Sequence, residues 1–336
     1  MNICILTQPL LNNYGCLLQN YALQLTLKKL GAKPYTVDWM PPKSPLYLFF
    51  LSWCKTIMLR MIGVKRPFAK ISKEQICRRD CFDEFVQKYI IKTENNTLIT
   101  PSITKNADVV IVGSDQVWRP KYNHRSLANM FLAFCKKQKR IKRIAYAASF
   151  GVDEWEYTHK QTCECSKLAK KFNAISVREW SGVRFCKECL GVDATWVLDP
   201  TLLLKKEDYL PICKMVPVNN EKYLAVYVLD EREDVSSICE CEAKNRGLVI
   251  KKFSAGSDAK LSVPEWLAMF RDASYIVTDS FHGTVFSIIF GKEFKCVYND
   301  ARGTARFESL LKLYDSGKLG EMRDFSLNWL KNALES

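Results

Sequence analysis

Asn2-Ile3-Cys4-Ile5-Leu6-Thr7, a loop Gln8–Tyr14, a helical run Gly15–Leu30, Gly31 and then Lys33–Asp38 form the stretch that decides the fold. The first six residues predict a strand. In the helical run Leu17, Leu18, Tyr21, Leu25 and Leu27 are available for burial, and Gly31 closes it in the manner of a helix C-terminus. Lys33–Asp38 predicts a second strand, so the chain opens with a strand–helix–strand unit. The same rhythm continues, with strands expected at Val109–Val112, Ile144–Ala148, Ala174–Val177 and Thr195–Leu198. Asp199-Pro200 breaks it and marks a hinge. A second set follows at Tyr223–Leu229, Leu248–Phe253, Tyr275–Thr278 and Phe294–Tyr298, separated by helices near Asp234–Arg246, Pro264–Arg271 and Gly283–Phe290. Alternation of this kind predicts an α/β protein with parallel sheets. The simplest architecture is two doubly wound halves, residues 1–200 and 201–336, facing a cleft, with the C-terminal helices in the second half. In such sheets ligands bind beyond the carboxyl ends of the strands.

Bulk properties agree with two full cores. The chain has 336 residues, 48% hydrophobic and 26% charged, enough for two domains of roughly 150 residues each. The opening segment has no basic n-region and too short an apolar run for a signal peptide, so a cytoplasmic location is expected. Fourteen scattered cysteines fit reduced thiols there. Cys186-Lys187-Glu188-Cys189 has the spacing of half a zinc site, but no second pair lies near it, so no metal is expected. The net charge of +14 points to acidic partners. Lys136, Lys137, Lys139, Arg140, Lys142 and Arg143 form a basic cluster whose simplest account is a solvated face; no nucleic-acid module surrounds it, and no nucleic-acid partner is expected.

Pro45–Val64 departs from the rhythm. It is rich in Leu, Phe, Ile and Met and contains Trp53, but Lys55 and Arg60 lie inside it and Lys65, Arg66 and Lys70 follow, making a hydrophobic and basic insertion at about 45–70. The internal charges disfavour a spanning helix. Two readings stay open: a helix lying on a membrane surface, peripheral to the cytoplasmic side, or a helix buried against protein.

Four segments carry candidate chemistry, each at a predicted strand end. Asn13, Tyr14, Gly15 and Gln19 sit where the first strand meets the first helix; backbone N–H groups there could cradle an anion or a sugar hydroxyl, or Asn12 or Asn13 could simply cap the helix. Gly113-Ser114-Asp115-Gln116-Val117-Trp118 suits sugar recognition: Ser114 and Gln116 for hydroxyls, Trp118 for stacking on a pyranose, and Asp115 as a general base or a mere cap. Arg178 ends another strand and offers a planar fork for phosphate or carboxylate, or a salt bridge with Glu179 or a nearby carboxylate. In Thr278-Asp279-Ser280-Phe281-His282-Gly283-Thr284, His282 could transfer protons, hold phosphate or act as a structural cap. Ser280, Thr284 and the Gly283 N–H would complete an anion pocket. Arg302 and Arg306 could add positive charge. The chain's other histidines, His124 and His159, lie in polar surroundings.

In their order and spacing, Asn13-Tyr14-Gly15 through Leu23, Gly113–Trp118, Ser176-Val177-Arg178-Glu179, Leu198-Asp199-Pro200-Thr201 and Thr278–Thr284 resemble the polysaccharide pyruvyl transferase family. The match spans about the first 310 residues; the ordered set is specific, though no single piece is. The resemblance implies two Rossmann-like domains facing a cleft, similar to the GT-B glycosyltransferases. It also implies phosphoenolpyruvate as co-substrate with no resident cofactor, and a pyruvate ketal bridging two sugar hydroxyls of a surface or capsular glycan precursor as product. The acceptor would be a sugar or lipid-linked oligosaccharide. His282 falls on the family's functional histidine and Arg178 on its arginine. Some members carry Arg where this chain has Ser280, so a second cationic contact is expected from Arg306. The rivals are a nucleotide-sugar glycosyltransferase of the same fold and a basic scaffold protein at a membrane.

Overall fold

Strands that run without polar alternation need cover on both faces, the situation of a parallel sheet between helices. The computed structural model describes residues 1–40, 46–61, 80–95, 97–123, 126–230, 232–255, 260–298 and 303–336. In it, β1 (Asn2–Leu6), β2 (Lys33–Thr36), β3 (Val109–Val112), β4 (Lys142–Ala148), β5 (Ala174–Val177) and β6 (Thr195–Trp196) form a parallel sheet ordered β2-β1-β3-β4-β5-β6. A second parallel sheet, ordered β10-β9-β7-β8, contains β7 (Tyr223–Tyr227), β8 (Val249–Phe253), β9 (Tyr275–Thr278) and β10 (Phe294–Cys296). Ile3 to Leu6 and Val109 to Val112 are buried throughout.

The expected strands Val109–Val112, Ala174–Val177 and Tyr275–Thr278 match residue for residue. Of the strands that end early, two do so where other groups take their backbone amides. β6 stops at Trp196, and the Leu198 N–H donates instead to Ser326 Oγ at 3.0 Å. β7 stops at Tyr227, and the Leu229 N–H donates to Asp279 Oδ1 at 2.6 Å.

Helix α1 (Tyr14–Lys29) starts at the N-cap Asn13, whose side chain accepts from Cys16 N. The next two described helices are α2 (Leu46–Met61) and α3 (Asp80–Tyr89). Tyr14, Leu17 and Leu18 of α1 and Phe82, Phe85 and Val86 of α3 share a core with Trp266 and Phe270 from the helix Val263–Asp272, which covers the second sheet. The C-terminal helices Ala305–Asp315 and Leu319–Glu335, grouped by sequence order with residues 201–336, lie against the first sheet. Their Phe307, Leu310, Leu330 and Leu334 pack with Ile3, Ile5, Ile111 and Ile144. Their apolar stripe covers a sheet face that would otherwise be wet.

In the basic cluster, Lys136, Lys137, Lys139 and Arg140 are exposed. Arg143 departs from the expected solvated face: it is buried, with Nη2 donating to Cys135 O at 2.8 Å. Parallel register sets Leu6 beside Val112 and Val177 beside Trp196, so the carboxyl ends of these strands share one edge. Strand order reverses between β1 and β3 and between β7 and β9. Such switch points open the crevices in which α/β proteins bind ligands.

Candidate active site

Arg178 is the first residue past β5 and is only 3% exposed. A guanidinium so placed needs a counter-charge. Asp199, just past β6 and equally buried, supplies it: Arg178 Nη1 donates to Asp199 Oδ2 at 2.8 Å. The same Oδ2 accepts from Ser114 Oγ at 3.0 Å, and Oδ1 accepts from Thr201 N at 3.0 Å and Thr201 Oγ1 at 2.6 Å. Burial opposes the charge on Asp199, but His282, Arg178 and Thr201 outweigh it and hold the carboxyl well below the usual carboxylate range. For Arg178, burial again opposes the charge, and Asp199, Asp115 and Glu179 more than offset it, raising its pKa.

The second sheet contributes His282. It is the second residue of the helix Phe281–Ile289, whose N-cap Ser280 accepts from Gly283 N. His282 Nε2 lies 3.8 Å from Asp199 Oδ2, an electrostatic separation rather than a hydrogen bond. Among the described residues, Nε2 of His282 and Nε and Nη2 of Arg178 are buried without hydrogen-bond partners. The imidazole packs on Gly15 at the start of α1: a Cβ there would stand 2.1 Å from Nδ1. Asp115, past β3, has φ +67° and places Oδ1 3.7 Å from Arg178 Nη2. Its Oδ1 also accepts from Gln116 N at 2.8 Å.

Arg306 completes the set. The Phe281 ring lies under two guanidiniums, 4.7 Å from that of Arg178 and 5.8 Å from that of Arg306. Arg306 is buried, and burial together with the nearby Arg178 pushes its pKa down to about 10. Segments following β1, β3, β5, β6 and β9 thus meet at one point. Two buried arginines and an imidazole there can hold a small acid, and the Asp115 carboxylate, 14% exposed, can receive a proton.

The sequence model of the polysaccharide pyruvyl transferases matches residues 13–301. The chain belongs to that family. It is therefore a pyruvyl transferase of polysaccharide biosynthesis. Comparison with curated proteins finds no match. Among solved structures, it is similar to UDP-GlcNAc 2-epimerase from Neisseria meningitidis bound to UDP-GlcNAc, with 10% identity, 99% of each chain covered and a TM-score of 0.50. The UDP-GlcNAc 2-epimerase of Methanocaldococcus jannaschii, in complex with UDP-GlcNAc and UDP, aligns at 12% identity over 95% of this chain and 93% of its own, TM-score 0.46. At such identities the likeness concerns the fold: the pyruvyl transferase has two Rossmann-like units in a GT-B-like arrangement.

Several residues expected to touch substrate serve the pyruvyl transferase differently. Trp118 is not a sugar platform. It is fully buried, stacked on Phe131 at 4.6 Å, with Nε1 donating to Met130 O at 3.0 Å. Tyr14 is also fully buried, stacked on Trp266 at 5.1 Å, and its hydroxyl donates to Leu261 O at 2.7 Å. Gln19 is a buried brace: Nε2 donates to Thr7 Oγ1 at 3.0 Å and Oε1 accepts from Ser114 N at 3.2 Å. Ser114 supports Asp199, and Asn13 caps α1. Gln116 Oε1 accepts from Arg119 Nη1 at 3.1 Å. The anion pocket drawn from Ser280, Gly283 and Thr284 is not formed by their side chains. Ser280 Oγ binds Gly283 N at 3.3 Å, and the buried Thr284 donates to Ser280 O at 3.2 Å. Arg302 and His124 lie outside the described residues.

Three residues of the site were not among the site residues expected from the sequence, Glu179 standing there only as an alternative ion-pair partner of Arg178. Asp199 stood there as part of a hinge, yet its carboxylate binds Arg178 and lies 3.8 Å from the His282 ring. Glu179 is fully buried, and its Oε1 accepts from Phe150 N at 2.6 Å and Gly151 N at 3.1 Å, fixing the turn after β4. Phe281 is the ring beneath the two arginines. The signal available for Asp199 was its position, a carboxylate immediately past a predicted strand.

Proposed function

We propose that the protein transfers the pyruvate unit of phosphoenolpyruvate to two hydroxyls of one sugar in a glycan precursor, forming a cyclic ketal and releasing phosphate. The observation that carries this is the meeting of Arg178, Asp199 and His282 from both sheets, with Nε and Nη2 of Arg178 and Nε2 of His282 buried there without hydrogen-bond partners among the described residues. Phosphoenolpyruvate carries a carboxylate and a phosphate on a three-carbon enol, so it needs more than one cationic contact; Arg178 and Arg306 supply them. Protonation of its methylene carbon makes a methyl group and leaves an oxocarbenium centre at C2. One sugar oxygen attacks C2 and gives up its proton. The C2–O bond to phosphate breaks, and the second hydroxyl attacks with loss of its proton. One of the two hydroxyl protons balances the proton added to carbon, and the other leaves with phosphate. In this reading His282 transfers the proton or holds the phosphate, and Asp115 receives a hydroxyl proton. Fixed charges in a site closed to water stabilise such an intermediate better than solvent does.

The test is to incubate the protein with phosphoenolpyruvate and candidate glycan acceptors and follow product mass and phosphate. The expected product gains pyruvate less one water and loses two free hydroxyls. Protection against heat by a nucleotide sugar, with none by phosphoenolpyruvate, would move the reading to glycosyl transfer. His282→Ala should lower turnover by about 10²-fold or more while circular dichroism stays unchanged; full turnover in this variant removes His282 from the chemistry.

A further inference from the structure

A helix that leaves large apolar side chains in water carries an unfavourable surface unless something covers it. On the second half of α2, Trp53 is 46% exposed, Ile57 48%, Met58 64% and Met61 82%. At about 100° per residue these four fall within an arc of about 140°. Thr56, on the opposite side, is fully buried, and Leu59 is half-buried. The two exposed cations of this stretch, Lys55 and Arg60, border the arc on either side. Among the described residues no helix is long and apolar enough to cross a membrane.

Charge identifies what covers this face. Between Asp38 and Glu74 the sequence holds seven Lys or Arg and no Asp or Glu. An apolar strip edged by cations, in a stretch of sequence without Asp or Glu, matches the boundary between acyl chains and acidic headgroups. There the strip enters the bilayer while lysine and arginine stay at the phosphates. A polyanion without an apolar phase would leave the strip in water. The segment also leaves the first sheet beyond the carboxyl end of β2, the edge that carries the candidate site.

We infer that α2 docks the protein in-plane on an anionic lipid surface through Trp53, Ile57, Met58 and Met61, with Lys55 as a headgroup contact. Apolar insertion and electrostatic attraction act together here, as stable reversible anchoring requires two signals.

Vesicle sedimentation of the full chain tests this without reference to its chemistry. At low salt the protein should pellet with phosphatidylcholine vesicles containing about 30% phosphatidylglycerol and stay in solution with phosphatidylcholine alone. About 0.5 M salt should release much of it. Ile57→Glu/Met61→Glu should lower partitioning about tenfold, with an unchanged circular dichroism spectrum, since both side chains are exposed. Failure of the wild type to pellet with acidic vesicles, or equal binding by the double variant, overturns the inference. So does equal binding to neutral vesicles. A dimer in solution that the double variant dissociates would also overturn it and assign the face to a second copy of the chain.

Discussion

The carboxylate of Asp199 receives Ser114 Oγ, both Thr201 donors and Arg178 Nη1 in a space closed to water. Replacing it by the isosteric amide puts N–H hydrogens where a donor or a cation now sits and removes the nearest counter-charge of Arg178, leaving the 3.7 Å contact to Asp115. Breaking a buried pair from one side costs about 3–5 kcal/mol, so Asp199→Asn should lower the melting temperature clearly at neutral pH. The sign with pH follows from the direction of the shift. The folded-state pKa of Asp199 lies below the unfolded value of about 3.9, so its contribution is fully present above that value and fades as the pH falls below it. Calorimetry of wild type and Asp199→Asn from neutral to about pH 3 should show the gap narrowing in acid; a constant gap would mean that ionisation of Asp199 does not stabilise the fold. At this scale the sequence was legible where chemistry is rare. An arginine and one of three histidines at strand ends stand out by type. Trp118 misled because an indole after a strand suits a sugar as well as a core, and only Phe131, stacked on it from a later segment, shows which.

Among the elements, the start of α1 sets the position of the imidazole. Gly15 has no side chain, and the His282 ring occupies the space a Cβ would need. Gly15→Ala should therefore move the ring by about 1 Å and cut turnover by about 10²-fold. Overpacking of this kind costs about 1–3 kcal/mol, which the better helix propensity of alanine, at most about 1 kcal/mol, offsets only in part, so thermal stability should fall modestly while activity is lost. A variant that keeps full turnover would show that the ring is free to settle elsewhere. The elements themselves were readable where a run is apolar throughout, as in β3, or interrupted by a single small hydroxyl residue, as in β5 and β9. Their ends were less so when a distant group takes the last amide, as Ser326 does after β6 and Asp279 after β7. The helix of His282 begins at Phe281, two residues before the expected Gly283, because Ser280 caps it.

Over the whole molecule, chain order and packing part company at both ends. Helices α1 and α3, from the first half of the chain, bury Tyr14 and Phe82 beside Trp266 over the second sheet. The last helix returns to the first sheet, where Leu330 is fully buried among residues that include Ile3 and Ile144. Periodicity shows that a helix has an apolar stripe but not which sheet it covers, which is why order alone grouped the C-terminal helices with the nearer sheet. This interleaving ties the two Rossmann-like units together, so they should unfold in one transition. Leu330→Ala removes a buried side chain at the return helix and should cost about 2–5 kcal/mol. If the units are coupled, calorimetry will show a single peak that moves to lower temperature as a whole. Two resolved peaks, of which only one shifts, would mean that each sheet holds its own core independently and that the C-terminal helix merely covers the first.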